Sequence, residues 1–402
     1  MDSPANSQHE STSAWRDAIL ADPWSWWRSQ MPISEKWAYF DHAAVAPLSL
    51  PAVESMSSFL DQAANLGDTV WPSWAARKEK LRRDTATLLN CSAGEISLVP
   101  NTSTGINLVA EGWGWQAGDN VVVPAGEFPS NLFPWLNQRP RGVEVRIVPR
   151  GASDEVGVDD LLSAADGSTR MIAASWVGYA SGFRLDVAEL VAAAHRRGIL
   201  VFLDAIQGLG MVPLDLEKVP VDFLAADGHK WLLGPEGAGI AMIRREHLEK
   251  IRVGNVGWGS VKDSYNYNDP KLDLRDDAAR FESGSANMIG LAGLSASLEM
   301  FLAVRECHGD SAIGDRVVAL ATQLDQMLRE LGATTSLAVD PKHRSGIVNF
   351  TLPGVEPAQL RRRGLEQHVV LSCRGKGARA SVHAYNNEHD LQRLVAVARS
   401  FC

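Results

Sequence analysis

Cysteine is scarce in this chain. Cys91, Cys307, Cys373 and Cys402 are the only four among 402 residues, and none forms a CxxC pair. Such spacing speaks against a zinc site or a disulfide framework, so no metal is expected and a reducing cytoplasm is the expected compartment. Positive charge is in deficit too: a net charge of −9 offers no field for nucleic acid or an anionic membrane. No run of eighteen apolar residues marks a membrane span. The opening MDSPANSQHESTSAWRDAIL lacks the basic and apolar regions of a secretory signal. A nicotinamide fingerprint is also missing, since GLGMVP and GPEGAG have the wrong spacing or position. What remains is small-molecule chemistry in a chain of ordinary globular composition, 45% hydrophobic and 22% charged. Thirteen tryptophans are many, and the three in DPWSWW read as packing of an N-terminal segment.

From about residue 95, short apolar runs alternate with helix-like stretches. EISLVP, GDNVVVP, GVEVRIVPR, TRMIAASWV and ILVFLDA read as strands, and DVAELVAAAHRRG between the last two reads as an amphipathic helix stopped by Gly198. This alternation predicts an α/β domain with a mainly parallel sheet sandwiched by helices. After about residue 290 the rhythm changes to a long helix over 313–332, a few short strands and a closing helix, which predicts a smaller α+β lobe. The expected division is an N-terminal segment 1–45, a large domain 46–295 and a small domain 296–402. The polar stretch 255–283 is long for a loop and reads as a functional loop or a covering flap.

Ligands of open α/β sheets bind beyond the carboxyl ends of the strands. Lys230, in LAADGHKWLLGPEGAG, lies between two apolar runs, and a desolvated lysine has the lowered pKa that attack on a carbonyl needs. Asp204 ends ILVFLDA, where it either caps the next helix or pairs with a pyridinium nitrogen. Gln207 follows one turn later. NTSTG, residues 101–105, offers Thr102 and Ser103 at a helix start, as simple caps or as an anion site. Phe128 could lie on a planar ring, or in the core.

Together these segments resemble the pyridoxal 5'-phosphate enzymes of fold type I, in the class V aminotransferase group that includes cysteine desulfurases, selenocysteine lyases, kynureninases and isopenicillin N epimerase-like proteins. The resemblance runs from YFDHAAVAPLS, which contains His42, to RASVHAYNNEHDL. It implies a seven-stranded sheet, a homodimer with shared active sites and an amino-acid substrate. It also implies Lys230 as the Schiff-base lysine with His229 before it, Asp204 on the ring nitrogen and Gln207 on the phenolic oxygen. Thr102 and Ser103 match the phosphate loop. Gly284 and Ser285, in RFESGSAN, match a phosphate contact made across the dimer interface. Arg379 matches the arginine that binds the substrate carboxylate, and Tyr179 and His42 join it as substrate contacts.

Three departures stand out. Phe128 replaces the histidine that desulfurases usually stack on the cofactor. Asp227 replaces a phosphate-binding hydroxyl residue, and an acid there repels phosphate unless it points elsewhere or is protonated. Cys373, the only candidate persulfide carrier in the right region, sits inside VVLSCRG, six residues before Arg379, and reads as a packed cysteine. These departures shift the expected reaction toward transamination or epimerisation after Cα deprotonation. Desulfuration, selenocysteine cleavage or another Cβ lyase reaction of the kynureninase kind is the alternative. A catalytically silent member would have lost Lys230, Asp204 or Arg379, and all three are present.

Overall fold

The computed structural model describes residues 15–151 and 155–402. A short strand, β1 (Ala38–Tyr39), precedes seven that form one sheet: β2 (Ile96–Val99), β3 (Asn120–Pro124), β4 (Glu144–Val148), β5 (Thr169–Ser175), β6 (Leu200–Asp204), β7 (Phe223–Asp227) and β8 (Gly239–Ile243). Their order is β2-β8-β7-β6-β5-β3-β4. All pairs are parallel except those of β8, which runs antiparallel to both β2 and β7. The five expected strands of the alternating region all form. β8 follows β7 through the Lys230 turn, so the chain reverses there without a crossover helix, which makes β8 antiparallel.

Burial explains the apolar runs. Every residue of β7 and β8 is buried, as a sheet covered on both faces demands. The helix Thr102–Gly112 lies close over β7, because a Cβ on Gly105 would stand 2.7 Å from that of Ala225. The helix expected over 186–198 spans Val187–His195; the Asp186 side chain caps it, and Gly198 takes φ +69° just beyond. At the other end of the sheet, Asp222 is buried between two histidines, with His195 Nε2 and His247 Nε2 each 2.8 Å from a carboxylate oxygen. The Val201 N–H donates to the same carboxylate. Glu246 stands near, but the Asp222 oxygens already serve these partners, so the cluster ties β6 to β7.

A second, four-stranded antiparallel sheet has the order β12-β13-β10-β9, from β9 (Thr334–Thr335), β10 (Ile347–Thr351), β12 (Ser372–Arg374) and β13 (Gly377–Ser381). β1 pairs in parallel with β11 (Val369–Val370). The N-terminal tryptophans pack as read from sequence: Trp27 is fully buried, edge-on to Phe301 and near His383, and Arg28 pairs with Asp390 at 2.7 Å. The helix Met288–His308 is long and apolar enough to cross a membrane, although Glu299 and Arg305 interrupt its apolar sequence. Here it lies against the helices Leu50–Asn65 and Trp71–Leu89, and its buried face is protein core. The stretch 255–283 contains two short 3₁₀ turns and exposes Tyr265, Tyr267 and Leu272.

Candidate active site

β6 and β7 lie side by side, so Asp204 and the turn carrying Lys230 come together at the same end of the sheet. Lys230 is buried, and its amine stands 5.6 Å from the centre of the Phe128 ring. Burial lowers its pKa to about 8; the nearby Asp204 and Asp227 carboxylates resist that shift, and Arg379 and Arg374 assist it. The neutral, nucleophilic amine is therefore within reach of ordinary working pH. Capture of a carbonyl compound by Lys230 in the apoprotein should accelerate as pH rises through about 8, followed by stopped-flow absorption. A rate flat between pH 7 and 9 would contradict this.

Asp204 is buried as well, and burial raises its carboxyl to about 6 against the pull of the Ile206 N–H and of Lys230. Gln207 is held at both ends: its amide N–H donates to Ala43 O at 2.9 Å, and its oxygen accepts from the Trp231 indole at 2.8 Å. Only one amide hydrogen remains for a ligand. Thr102 opens the eleven-residue helix Thr102–Gly112, and its hydroxyl accepts from the Asp227 N–H, leaving the hydroxyl hydrogen to donate. Ser103 donates to Ser130 at 2.7 Å. Asp227 points one oxygen at His229 Nδ1, 3.1 Å away, while its other oxygen is buried without a partner. The carboxylate is thus turned partly toward an imidazole.

Phe128 is 45% exposed, so it is not a core residue, and Tyr179 meets its ring edge-on at 5.4 Å. Arg379 comes from β13 and is 1% exposed. It donates to Tyr179 O at 2.7 Å and to Asp41 at 3.1 Å, while its Nε–H is buried with no partner. That orphaned donor, with the free hydrogens of the fork, suits a carboxylate.

One expectation needs correction, and one residue was missed. His42 does not face a substrate: it is fully buried, with Nδ1 2.8 Å from Ser381 O and Nε2 2.8 Å from the Tyr385 hydroxyl. A carbonyl only accepts, so Nδ1 carries the proton and both ring nitrogens are spent. Gly284 and Ser285, expected to act across a dimer interface, are exposed on the single chain, beside Trp258 and Tyr265 in a separate surface cleft. The missed residue is Glu127. It accepts from the Ser175 N–H at 2.7 Å and from the Ser175 hydroxyl, and Ser175 stands opposite Asp204 in the sheet register. Burial raises its carboxyl to about 7, with the Asp204 charge adding to the shift. Nothing in GEFPSN distinguishes this glutamate from a solvated one; only the pairing of β5 with β6 does.

A family model described as Aminotransferase class-V matches residues 38–394. The chain belongs to this family. A probable cysteine desulfurase of Methanothermobacter thermautotrophicus is 32% identical over 397 residues, covering 91% of this chain and 95% of its own. A cysteine desulfurase of Cronobacter sakazakii is 29% identical, across 89% and 92%. The apo structure of a cysteine desulfurase from Thermococcus onnurineus NA1 superposes with a TM-score of 0.84 at 25% identity, across 93% of this chain and 97% of that one. This chain is accordingly a class-V enzyme of the fold type I, pyridoxal-phosphate-dependent group. Its residues fit the cofactor: a buried acid and an open aromatic face stand near a reactive amine, and a helix start with a free hydroxyl hydrogen is hydrogen-bonded to the Asp227 backbone at the end of the same strand turn.

Proposed function

We propose that this class-V enzyme cleaves the Cβ–S bond of cysteine or an S-substituted cysteine. The observation that carries the reading is the Lys230, Asp204 and Arg379 set in a chain 32% identical, along 91% of its length, to a protein named as a probable cysteine desulfurase. The relatives' names favour this Cβ reaction over transamination or epimerisation. When bound, the cofactor supplies an electron sink for the charge left at Cα. Asp204 would pair with the pyridine nitrogen and keep it protonated. Arg379 clamps the substrate carboxylate through Nε and a fork hydrogen, and the Lys230 amine takes the Cα proton. Phe128 would cover the ring, and Thr102 and Ser103 would hold the phosphate. Gly284 and Ser285, exposed on one chain, would complete that phosphate site from the partner of a homodimer.

Cys373 is not the sulfur acceptor in this reading. In the β12–β13 register Ser372 faces Arg379 while Cys373 faces Ala378, so the thiol lies on the opposite side of the sheet from Arg379. Burial also raises its pKa, although Arg361 and Arg374 oppose the shift. Cys373→Ala should leave sulfur release within about twofold of wild type, since it touches none of the reacting groups. A loss limited to sulfur release would make Cys373 the carrier.

The deciding experiment is a product balance with the purified holoenzyme. Desulfuration converts cysteine and an acceptor thiol into alanine and a persulfide; elimination converts an S-substituted cysteine and water into pyruvate, ammonia and a thiol. Either set supports Cβ–S cleavage. Conversion of amino acid to keto acid with sulfur retained, or inversion at Cα alone, would overturn it.

A further inference from the structure

Arg374 closes β12, an edge strand, and stands opposite Gly377. Side chains on a strand alternate between faces, so Arg374 shares its face with Ser372 and, across the register, with Arg379. The next strand continues the row, because Asn349 stands opposite Arg379. This face looks toward the large sheet: Asn349 Nδ2 donates to Ala180 O at 3.2 Å and Arg379 to Tyr179 O at 2.7 Å. Asn349 also donates to Arg374 O at 2.9 Å, which fixes the backbone from which the guanidinium extends.

The two arginines differ in what holds them. Arg379 is buried and ion-paired with Asp41. Arg374 is exposed, and among the described residues its guanidinium donates only to the adjacent carbonyl of Cys373, at 2.9 Å. Around it opens a cleft lined by Asp41, Ala358, Arg361, Ser372, Cys373 and Arg374. Arg361 is exposed on the helix Pro357–Glu366 and has no acidic partner among the described residues. Lys376 adds a further positive charge on the following turn. Asp41, the one carboxylate in the lining, is already engaged by Arg379. Cationic groups with no ion-pair partner among the described residues gather here in a chain whose net charge is −9. The cleft opens beside the same arginine that suits a substrate carboxylate. Arg374 also disfavours the Lys230 ammonium, as Arg379 does, so both guanidinia act on one site.

We propose that Arg374, aided by Arg361, forms a second anion subsite that binds a distal carboxylate on the substrate, beyond Cβ. The inference rests on the Cβ–S reading and narrows it: the preferred substrate is a cysteine whose sulfur substituent carries a carboxylate. Arg379 takes the α-carboxylate, Lys230 faces the carbon between, and Arg374 holds the far end. The sulfur then leaves with its own electron pair as a thiolate and needs no acceptor thiol from the chain.

The test is a spectral titration of the holoenzyme with two matched pairs, S-carboxymethylcysteine against S-ethylcysteine and 2-aminoadipate against norleucine. In wild type the carboxylate member of each pair should bind about tenfold or more tightly, the effect of one good charge-assisted contact. Arg374→Gln should bring both ratios toward one, and Arg361→Gln should lower them less. Equal binding within each pair in wild type overturns the subsite, as does a preference that survives the double variant. A cationic surface that instead retains an acidic peptide while ignoring both carboxylate amino acids also overturns it, in favour of protein docking. 2-Aminoadipate and norleucine contain no sulfur, so their ratio stands whether or not the enzyme cleaves Cβ–S bonds. Failure of that chemistry would show separately, as S-carboxymethylcysteine bound without release of thiol.

Discussion

Lys230→Ala should lower turnover by at least about 10³-fold, because one side chain provides both the attachment point and the base for the Cα proton. Lys230→Arg is the sharper variant. It keeps a positive charge near Asp204 and the length of the side chain, but a guanidinium does not lose its proton in a protein. If Lys230 acted only as a counterion to Asp204, the arginine variant would retain most activity. Equal loss in both variants, measured as product formed per active site with cofactor content determined separately, identifies the deprotonated amine as what matters. Turnover within tenfold of wild type in Lys230→Ala would remove Lys230 from the chemistry and with it the reading of the site. The structure makes the amine suitable in advance: burial brings it to about 8.

The second large effect is on stability. Arg82 and Glu282 form a buried two-point pair, Nη1 to Oε1 at 2.7 Å and Nη2 to Oε2 at 3.1 Å. Arg82 also donates to Ile96 O, and Glu282 accepts from the Leu98 N–H, so the pair fastens the helix Trp71–Leu89 and the segment before Gly284 to β2. Arg82→Ala leaves Glu282 buried with only Lys78, at 2.6 Å, as an ionic partner, and should cost about 3 kcal/mol. A lower urea midpoint at unchanged slope would report it; an unmoved midpoint would show the pair to be neutral. The pH sign follows from Glu282. Burial pushes its carboxyl up, but the Arg82 guanidinium, the Lys78 ammonium and the Leu98 N–H together outweigh this and hold it below its ordinary 4.5. The contribution is therefore present above about pH 4.5 and is lost as pH falls through the lower folded value. In Arg82→Ala that acid sensitivity should shrink.

Those features written in local pattern were legible from the sequence. Strands such as Leu200–Asp204 are short apolar runs, and their ends, where Asp204 and the Lys230 turn emerge, follow from chain direction in a parallel sheet. Contacts made by distant segments were not legible. His42 looked like a site residue because its segment lies in the resembling region, yet Ser381 and Tyr385 consume both ring nitrogens from some 340 positions away. Glu127 was overlooked for the converse reason, since its significance arises only where β5 meets β6. Phe128 and Tyr179 were singled out separately, and their edge-on contact shows them to be one wall. The orientation of Cys373 away from Arg379 needed the register of β12 on β13, which a one-residue slip would reverse.

The pairing of β1 with β11, and of Asp41 with Arg379 338 positions later, has a consequence for how the molecule comes into being. The strap that steadies Arg379 is synthesised more than 300 positions before its mates, β11 and Arg379 itself. Closing so large a loop is slow, because chain entropy must be surrendered before the contact forms. The large sheet, made of neighbouring segments, can assemble while translation continues. An oriented Arg379 consequently forms late, and a chain whose central sheet has assembled but whose β1 and β11 have not yet met does not hold it.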